Sequence, residues 1–118
     1  MKICISELTF NSFEDVFNES LIKEDILLLN REGKLAKGEG HPEVVFVSYE
    51  IMFKMLRDPV YKNNFLKLID GCSFIQASWA GIESEEAQEL IKIPDLFSHG
   101  GGDHAITIGT YVFAQILR

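Results

Sequence analysis

Val44-Val45-Phe46-Val47 is an unbroken run of β-branched and aromatic residues. A strand with one wet face alternates apolar and polar positions, so a run without alternation describes a strand covered on both faces. That is an inner strand of a parallel sheet. Working outward, Lys2-Ile3-Cys4-Ile5-Ser6 is short and β-branched and reads as a first strand, Ile26-Leu27-Leu28-Leu29 is a continuous apolar run of strand length, Phe74-Ile75-Gln76-Ala77 reads as a further strand, and Leu96-Phe97 as a weak last one. Between these runs the apolar period becomes helical. Asn11 or Ser12 can cap a helix carrying Phe13, Val16, Phe17 and Leu21. A helix through Tyr61, Phe65, Leu66 and Ile69 closes at Asp70-Gly71, and Ser84 caps a short acidic helix from Glu85 to Leu90. Asp103 can cap a last helix from about His104 to Arg118. The polar stretch from Asn30 to Pro42, with Gly33, Gly38 and Gly40, reads as a surface connection holding at most one helical turn.

Strands alternating with helices predict an α/β fold: a flavodoxin-like three-layer α/β/α sandwich with a parallel sheet, its crossovers right-handed. The chain's 118 residues support one core and not two. A net charge of −7 argues against a nucleic-acid partner, which needs a basic surface to neutralise phosphates, and against an anionic membrane surface. The basic residues Lys54, Arg57, Lys62 and Lys67 are interrupted by acids and apolar residues, as on a solvated helix face. No stretch reaches the roughly 20 apolar residues of a membrane span, and the N-terminus carries no cleavage-type signal. Cys4 and Cys72 form no Cys-x-x-Cys pair and read as reduced packing residues of a cytoplasmic protein.

Ligands of open parallel sheets bind beyond the carboxyl ends of the strands. That places a site near Glu7, near Ser48-Tyr49, and at Ala77-Ser78-Trp79-Ala80-Gly81. The last of these is a strand running into small residues and a glycine. Small side chains let a ligand reach the main chain, and consecutive amides there can hold a carboxylate or phosphate; an ordinary tight turn is the other reading. Gly100-Gly101-Gly102 matches neither phosphate-loop pattern, and His99, Asp103 and His104 fit no standard zinc spacing. No nucleophile–base–acid set can be assembled.

Phe74-Ile75-Gln76-Ala77-Ser78-Trp79-Ala80-Gly81-Ile82-Glu83 resembles a signature of the D-isomer-specific 2-hydroxyacid dehydrogenases, in which a strand reading roughly Lys-x-Ile-Gln enters Ser-x-Gly/Ala-Gly-Val/Ile-Asp. The segment from Gly100 to Arg118 is similar to that family's long crossing helix, usually Ala-x-x-Val-Ala-Glu-His-Val-Leu-Ala-Leu-Leu-Leu, at a suitable spacing. The departures are Trp79, bulky for its place, and Gly109-Thr110-Tyr111 where the family has Ala-Glu-His.

The resemblance implies a flavodoxin-like substrate-side domain over residues 1–102, with the crossing helix starting in 103–118. It implies that the amides of Ala80 and Gly81 hold the carboxylate of a small 2-hydroxy or 2-keto acid, that Ser48, Tyr49 and Ser78 line the same cleft, and that Ile108 touches the nicotinamide of NAD or NADP. The family's nucleotide-binding domain and its catalytic Arg, Glu and His lie downstream of such a helix. The chain alone is therefore expected to be inactive and to bind no cofactor tightly, and a parent protein is expected to continue into a dinucleotide-binding domain. The alternative is a stand-alone flavodoxin-like binding or interaction module. A receiver-type phosphoacceptor is disfavoured by Ser48 where an Asp is needed, and a flavin binder by the lack of glycine in Thr9-Phe10-Asn11-Ser12. The terminal helix carries apolar residues on more than one face, Val112, Phe113, Ile116 and Leu117 among them, which predicts a homodimer.

Overall fold

Strand propensity and burial agree where the sequence is most apolar. The computed structural model describes residues 2–12, 14–15, 26–78 and 84–99. Their order is β1 (Ile3–Ser6), α1 (Glu7–Ser12), β2 (Ile26–Leu29), β3 (Leu35–Lys37), β4 (Val44–Val47), α2 (Tyr49–Arg57), α3 (Pro59–Ile69), β5 (Phe74–Ala77), α4 (Glu85–Ile91) and β6 (Leu96–Ser98). The strands form one six-stranded sheet in the order β3-β2-β1-β4-β5-β6. Every neighbouring pair is parallel except β2 with β3. The protein is thus a mixed α/β fold on a mostly parallel sheet. The terminal helix expected over 103–118 lies outside the described residues.

Side chains of successive strand residues point to opposite faces, and both faces of this sheet are apolar. One face joins Cys4, Leu27, Leu29, Val45, Val47, Ile75 and Ala77 to the inner sides of α2, α3 and α4, with Tyr61 and Phe65 the largest fully buried side chains. The other face gathers Ile3, Ile5, Ile26 and Val44, and Phe10 of α1 packs against it. Double-sided burial is what the run Val44–Val47 requires, and Val44 on one face and Val45 and Val47 on the other are all buried.

The helices stop and start where local chemistry dictates. The Asp58 carboxylate accepts from the backbone N–H of Val60 (3.0 Å) and Tyr61 (3.2 Å), and Pro59 occupies the first helical position, so the chain turns from α2 into α3 there. Gly71, at φ 82°, follows α3, and Ser84 Oγ accepts from Ala87 N–H (3.1 Å) at the start of α4, both as expected. Lys62 links the two helices through Glu89 at 3.0 Å and Glu86 at 3.9 Å.

Three local expectations change. Residues 30–42 contain no helical turn; they hold β3, which turns back antiparallel on β2. Asn30 builds the reversal: its Oδ1 accepts from the N–H groups of Glu32 (2.9 Å) and Lys34 (3.0 Å), while Gly33 takes φ 82°. A Cβ on Gly33 would sit 2.7 Å from the Tyr61 carbonyl oxygen, so only glycine lets the turn rest on α3. A helix not expected from sequence, Glu7–Ser12, comes first, with Ser6 Oγ accepting from Thr9 N–H (3.1 Å) at its start, while Phe13, Val16, Phe17 and Leu21 of the helix expected after Asn11 or Ser12 lie outside the described residues. A helix also precedes the one through Tyr61, carrying Ile51, Met52 and Met55 on its buried side.

Both thiols sit in the first-face core and are free. Burial raises Cys4 from the ordinary 9.0 to about 12, with Cys72 nearby adding to it, and burial raises Cys72 to about 11, helped by Asp70 and Asp95. Burial likewise raises the Tyr61 hydroxyl. These groups stay neutral in the folded chain while they would ionise in the unfolded one. Their contribution to stability is therefore complete below pH 9 and is lost as pH rises from 9 toward 11–12. Thermal denaturation followed across pH 8–11 should show a falling midpoint above pH 9, and thiol-specific reagents at pH 8 should label neither cysteine until denaturant is added.

Candidate functional site

In the sheet order, the chain moves outward from β1 to β2 and β3, then returns to place β4 on the other side of β1. At such a reversal the flanking connections leave over opposite faces, opening a crevice at the carboxyl ends of the two strands. Here that edge carries Ser6 and Glu7 from β1 and Ser48, Tyr49 and Glu50 from β4.

The β1 side is a closed hydrogen-bonded cluster. Ser6 is 5% exposed, and its Oγ donates to Glu50 Oε1 in the first turn of α2. Thr9 Oγ1 lies 3.0 Å from Ser6 Oγ. A hydroxyl has one proton, so with that proton on the carboxylate the Thr9 hydroxyl donates to Ser6. This side is also acidic, since Glu7 and Glu50 both stand at helix starts.

The β4–β5 side is neutral and incompletely paired. Ser78 N–H donates to the Val47 carbonyl at 3.1 Å, carrying the parallel pairing one residue beyond the strands and setting Ser48 and Ser78 next to each other. Ser48 keeps an extended backbone (φ −80°, ψ 169°), so it falls on the same sheet face as Phe46. It occupies the N-cap position of α2 without capping it; its Oγ is shielded from solvent and has no hydrogen-bond partner among the described residues. Gln76, which pairs with Phe46 across the sheet, is 1% exposed; its Nε2 donates to the Ala77 carbonyl (3.0 Å) and its Oε1 has no partner among the described residues. Leaving such a group unpaired in the interior costs roughly 1–3 kcal/mol. Two of them, at the ends of the neighbouring strands β4 and β5, form a place where a polar ligand would gain more than the described residues satisfy by themselves.

Of the residues nominated from sequence, Ser48 and Ser78 are brought together. Tyr49 is adjacent in the chain but 59% exposed, with its ring 5.6 Å from that of Phe53, so it lies along the outside of α2. Ala80, Gly81 and Ile108 lie outside the described residues. Ser6 and Glu50 are not nominated from sequence, Thr9 enters there only in the disfavoured flavin loop, and Gln76 only as part of a strand and of the family signature. Ser6 at a strand end, followed three residues later by Thr9, was the available signal for these two. Among the described residues, no group of three or more His, Cys, Asp or Glu is placed to hold a metal ion. A shallow depression lined by Asn63, Leu66, Lys67 and Asp70 belongs to the second half of α3, which leads into the start of β5 and not to the carboxyl edge.

No family model matches the chain, nor does any curated protein or solved structure.

The two sides of the edge should respond oppositely to alanine. Ser48→Ala removes a buried hydroxyl that has no partner among the described residues, and is expected to leave stability unchanged or raise it by about 1 kcal/mol. Ser6→Ala strips the cap of α1 and leaves Glu50 without its donor, and should cost about 1–2 kcal/mol. Urea denaturation of the two variants checks both signs.

Proposed function

We propose that this chain is the substrate-side domain of a D-2-hydroxyacid dehydrogenase, binding a small 2-hydroxy or 2-keto acid at the carboxyl edge of β4 and β5. The observation that carries the reading is the unpartnered Ser48 hydroxyl standing beside Ser78, where the resemblance puts the carboxylate cleft. Without β3, the parallel strands run β2-β1-β4-β5-β6, which is the flavodoxin order, and α1 packs on the sheet face opposite α2, α3 and α4. Both features support the flavodoxin-like three-layer form of the fold.

The edge is polarised in a way that suits such a ligand. An anion is repelled by Glu7 and Glu50 on the β1 side, so the carboxylate belongs on the neutral side, accepting from Ser48 and Ser78 and, as the resemblance implies, from the amides of Ala80 and Gly81. Gln76 Oε1, one step deeper on the Ser48 face, is an acceptor for a hydroxyl. The same charges make the described turns unsuited to a dinucleotide. A pyrophosphate needs bare amides at a helix start, whereas α1 and α2 begin with carboxylates and no described turn reads Gly-x-Gly-x-x-Gly. NAD or NADP, which would supply the hydride, is therefore assigned to a separate nucleotide-binding domain of the parent protein, with Ile108 at the contact. Among the described residues, no helix is long and apolar enough to cross a membrane; a cytoplasmic location is part of the proposal.

Titration of the labelled chain with lactate, glycerate or glyoxylate should shift the amides of Val47, Ser48, Gln76 and Ser78, with millimolar affinity, about 4 kcal/mol. Ser48→Ala should weaken that binding. Shifts confined to other elements, or none at tens of millimolar (roughly the limit of a useful interaction), would overturn the assignment.

A further inference from the structure

We propose that Gln76 selects the ligand by holding a second hydroxyl, one that is not oxidised, so that the acid bound at this edge is a 2,3-dihydroxy acid. The inference rests on the assignment of a hydroxy acid to the carboxyl edge of β4 and β5. Polar side chains stand there in two rows. Ser48 and Ser78 form the outer row, beside each other beyond the strand ends. Gln76 stands two residues deeper on β5, in register with Ser98 of β6. In a parallel pair, residues in register share a face, so all four lie on the face of Phe46 and Phe74, otherwise packed with Ile3, Ile5, Ile26 and Val44.

The Gln76 amide is satisfied at one end only. Its Nε2 donates to the Ala77 carbonyl at 3.0 Å, which holds the amide toward the carboxyl edge. The residue is 1% exposed, and neither the neighbouring Ser98 hydroxyl nor any other described group donates to Oε1. An amide oxygen accepts and never donates, so whatever completes it must bring a hydrogen. A carboxylate brings none, which leaves a ligand hydroxyl. Oxidation of a 2-hydroxy acid breaks two bonds at one carbon: the C2 hydrogen leaves as hydride to the nicotinamide, and the hydroxyl proton leaves to a base as C2–O becomes a carbonyl. A hydroxyl has one proton, and an amide oxygen is no base for it. A proton donated to Gln76 is withheld from the base. The hydroxyl on Gln76 is therefore a different one, on the next carbon. The two rows are about 6.6 Å apart along the strands, a span that a three-carbon acid bridges with a hydrogen bond at each end. An acid lacking that hydroxyl leaves Oε1 buried and unpaired, which is how a polar pocket rejects an analogue.

Amide-shift titrations of the chain with glycerate and with 2-hydroxybutanoate, which has a methyl where glycerate has its second hydroxyl, read the selection directly. Glycerate should bind about tenfold more tightly. Gln76→Met, similar in length and without the acceptor, should weaken glycerate until the two acids agree within about twofold. A ligand-side measurement serves even where that variant fails to fold: 2-hydroxy-3-methoxypropanoate keeps the oxygen but has no proton to donate, and should bind the unaltered chain no better than 2-hydroxybutanoate. Equal affinities for glycerate and 2-hydroxybutanoate, with shifts at Ser48 and Ser78 for both, would overturn the role of Gln76 and leave the edge assignment standing. No shift at those residues with either acid would overturn both. A glycerate preference that survives in a folded Gln76→Met chain, or one shared by the methoxy acid, would put the second oxygen on another group and overturn the inference.

Discussion

Parallel pairing of β1 with β4, each covered on both faces, is the constraint that organises the rest. Ile3 and Ile5 point one way and Cys4 the other, and none is more than 1% exposed. A strand in that position has no wet face on which to place a polar side chain. Its backbone ends are secured by pairing instead: the Lys2 carbonyl accepts from Glu43 and Val44, and the Glu43 carbonyl accepts from Ser73 and Phe74, so three strand starts are tied together at the amino edge. Polar chemistry is thereby driven to the other end of the sheet. Ser6, Ser48 and Ser78 all occur where an apolar strand finishes, and each of the three takes part in the candidate site.

Much of this architecture is legible in the amino-acid sequence, for identifiable reasons. Runs such as Val44–Val47 and Ile26–Leu29 have no helical period and no alternation, which leaves little choice but a doubly buried strand. Gly71 and Ser84 mark helix ends by chemistry that acts within a few residues. What escaped was decided at longer range. Leu35-Ala36-Lys37 has no strand signal of its own; its pairing with β2 follows from the Asn30 turn and from Gly33 lying against the Tyr61 carbonyl, a contact between residues 28 positions apart. Likewise Glu50 reads as an ordinary acid in a helical first turn, and only the sheet order brings it to Ser6. Ser48 was legible as a position beyond a strand, but its isolation from hydrogen-bond partners was not, because that depends on what surrounds the hydroxyl.

The candidate site also shows how neighbouring strands divide electrostatic work. Glu7 and Glu50 use the positive ends of α1 and α2 internally, one of them tied down by a serine. A negatively charged ligand, as proposed for this edge, would find no helix start free on the β1 side and would be directed toward the uncharged hydroxyls between β4 and β5. The direction comes from repulsion as much as attraction, and it does not depend on any single donor.

The β3 hairpin has a consequence for solubility. Ile26-Leu27-Leu28-Leu29 would be the outermost parallel strand if the chain passed from β2 straight to β4, leaving an apolar row of unpaired N–H and C=O groups open to another molecule. β3 occupies that row with only three residues, bordered by Lys34 and ending in Lys37, and its Ala36 and Lys37 are exposed. The register slips between Leu28 and Leu29, which spoils the flatness that strand-to-strand stacking needs. A short, charged, irregular border thus shields an aggregation-prone segment, and Gly33, by seating the turn on α3, keeps that border closed.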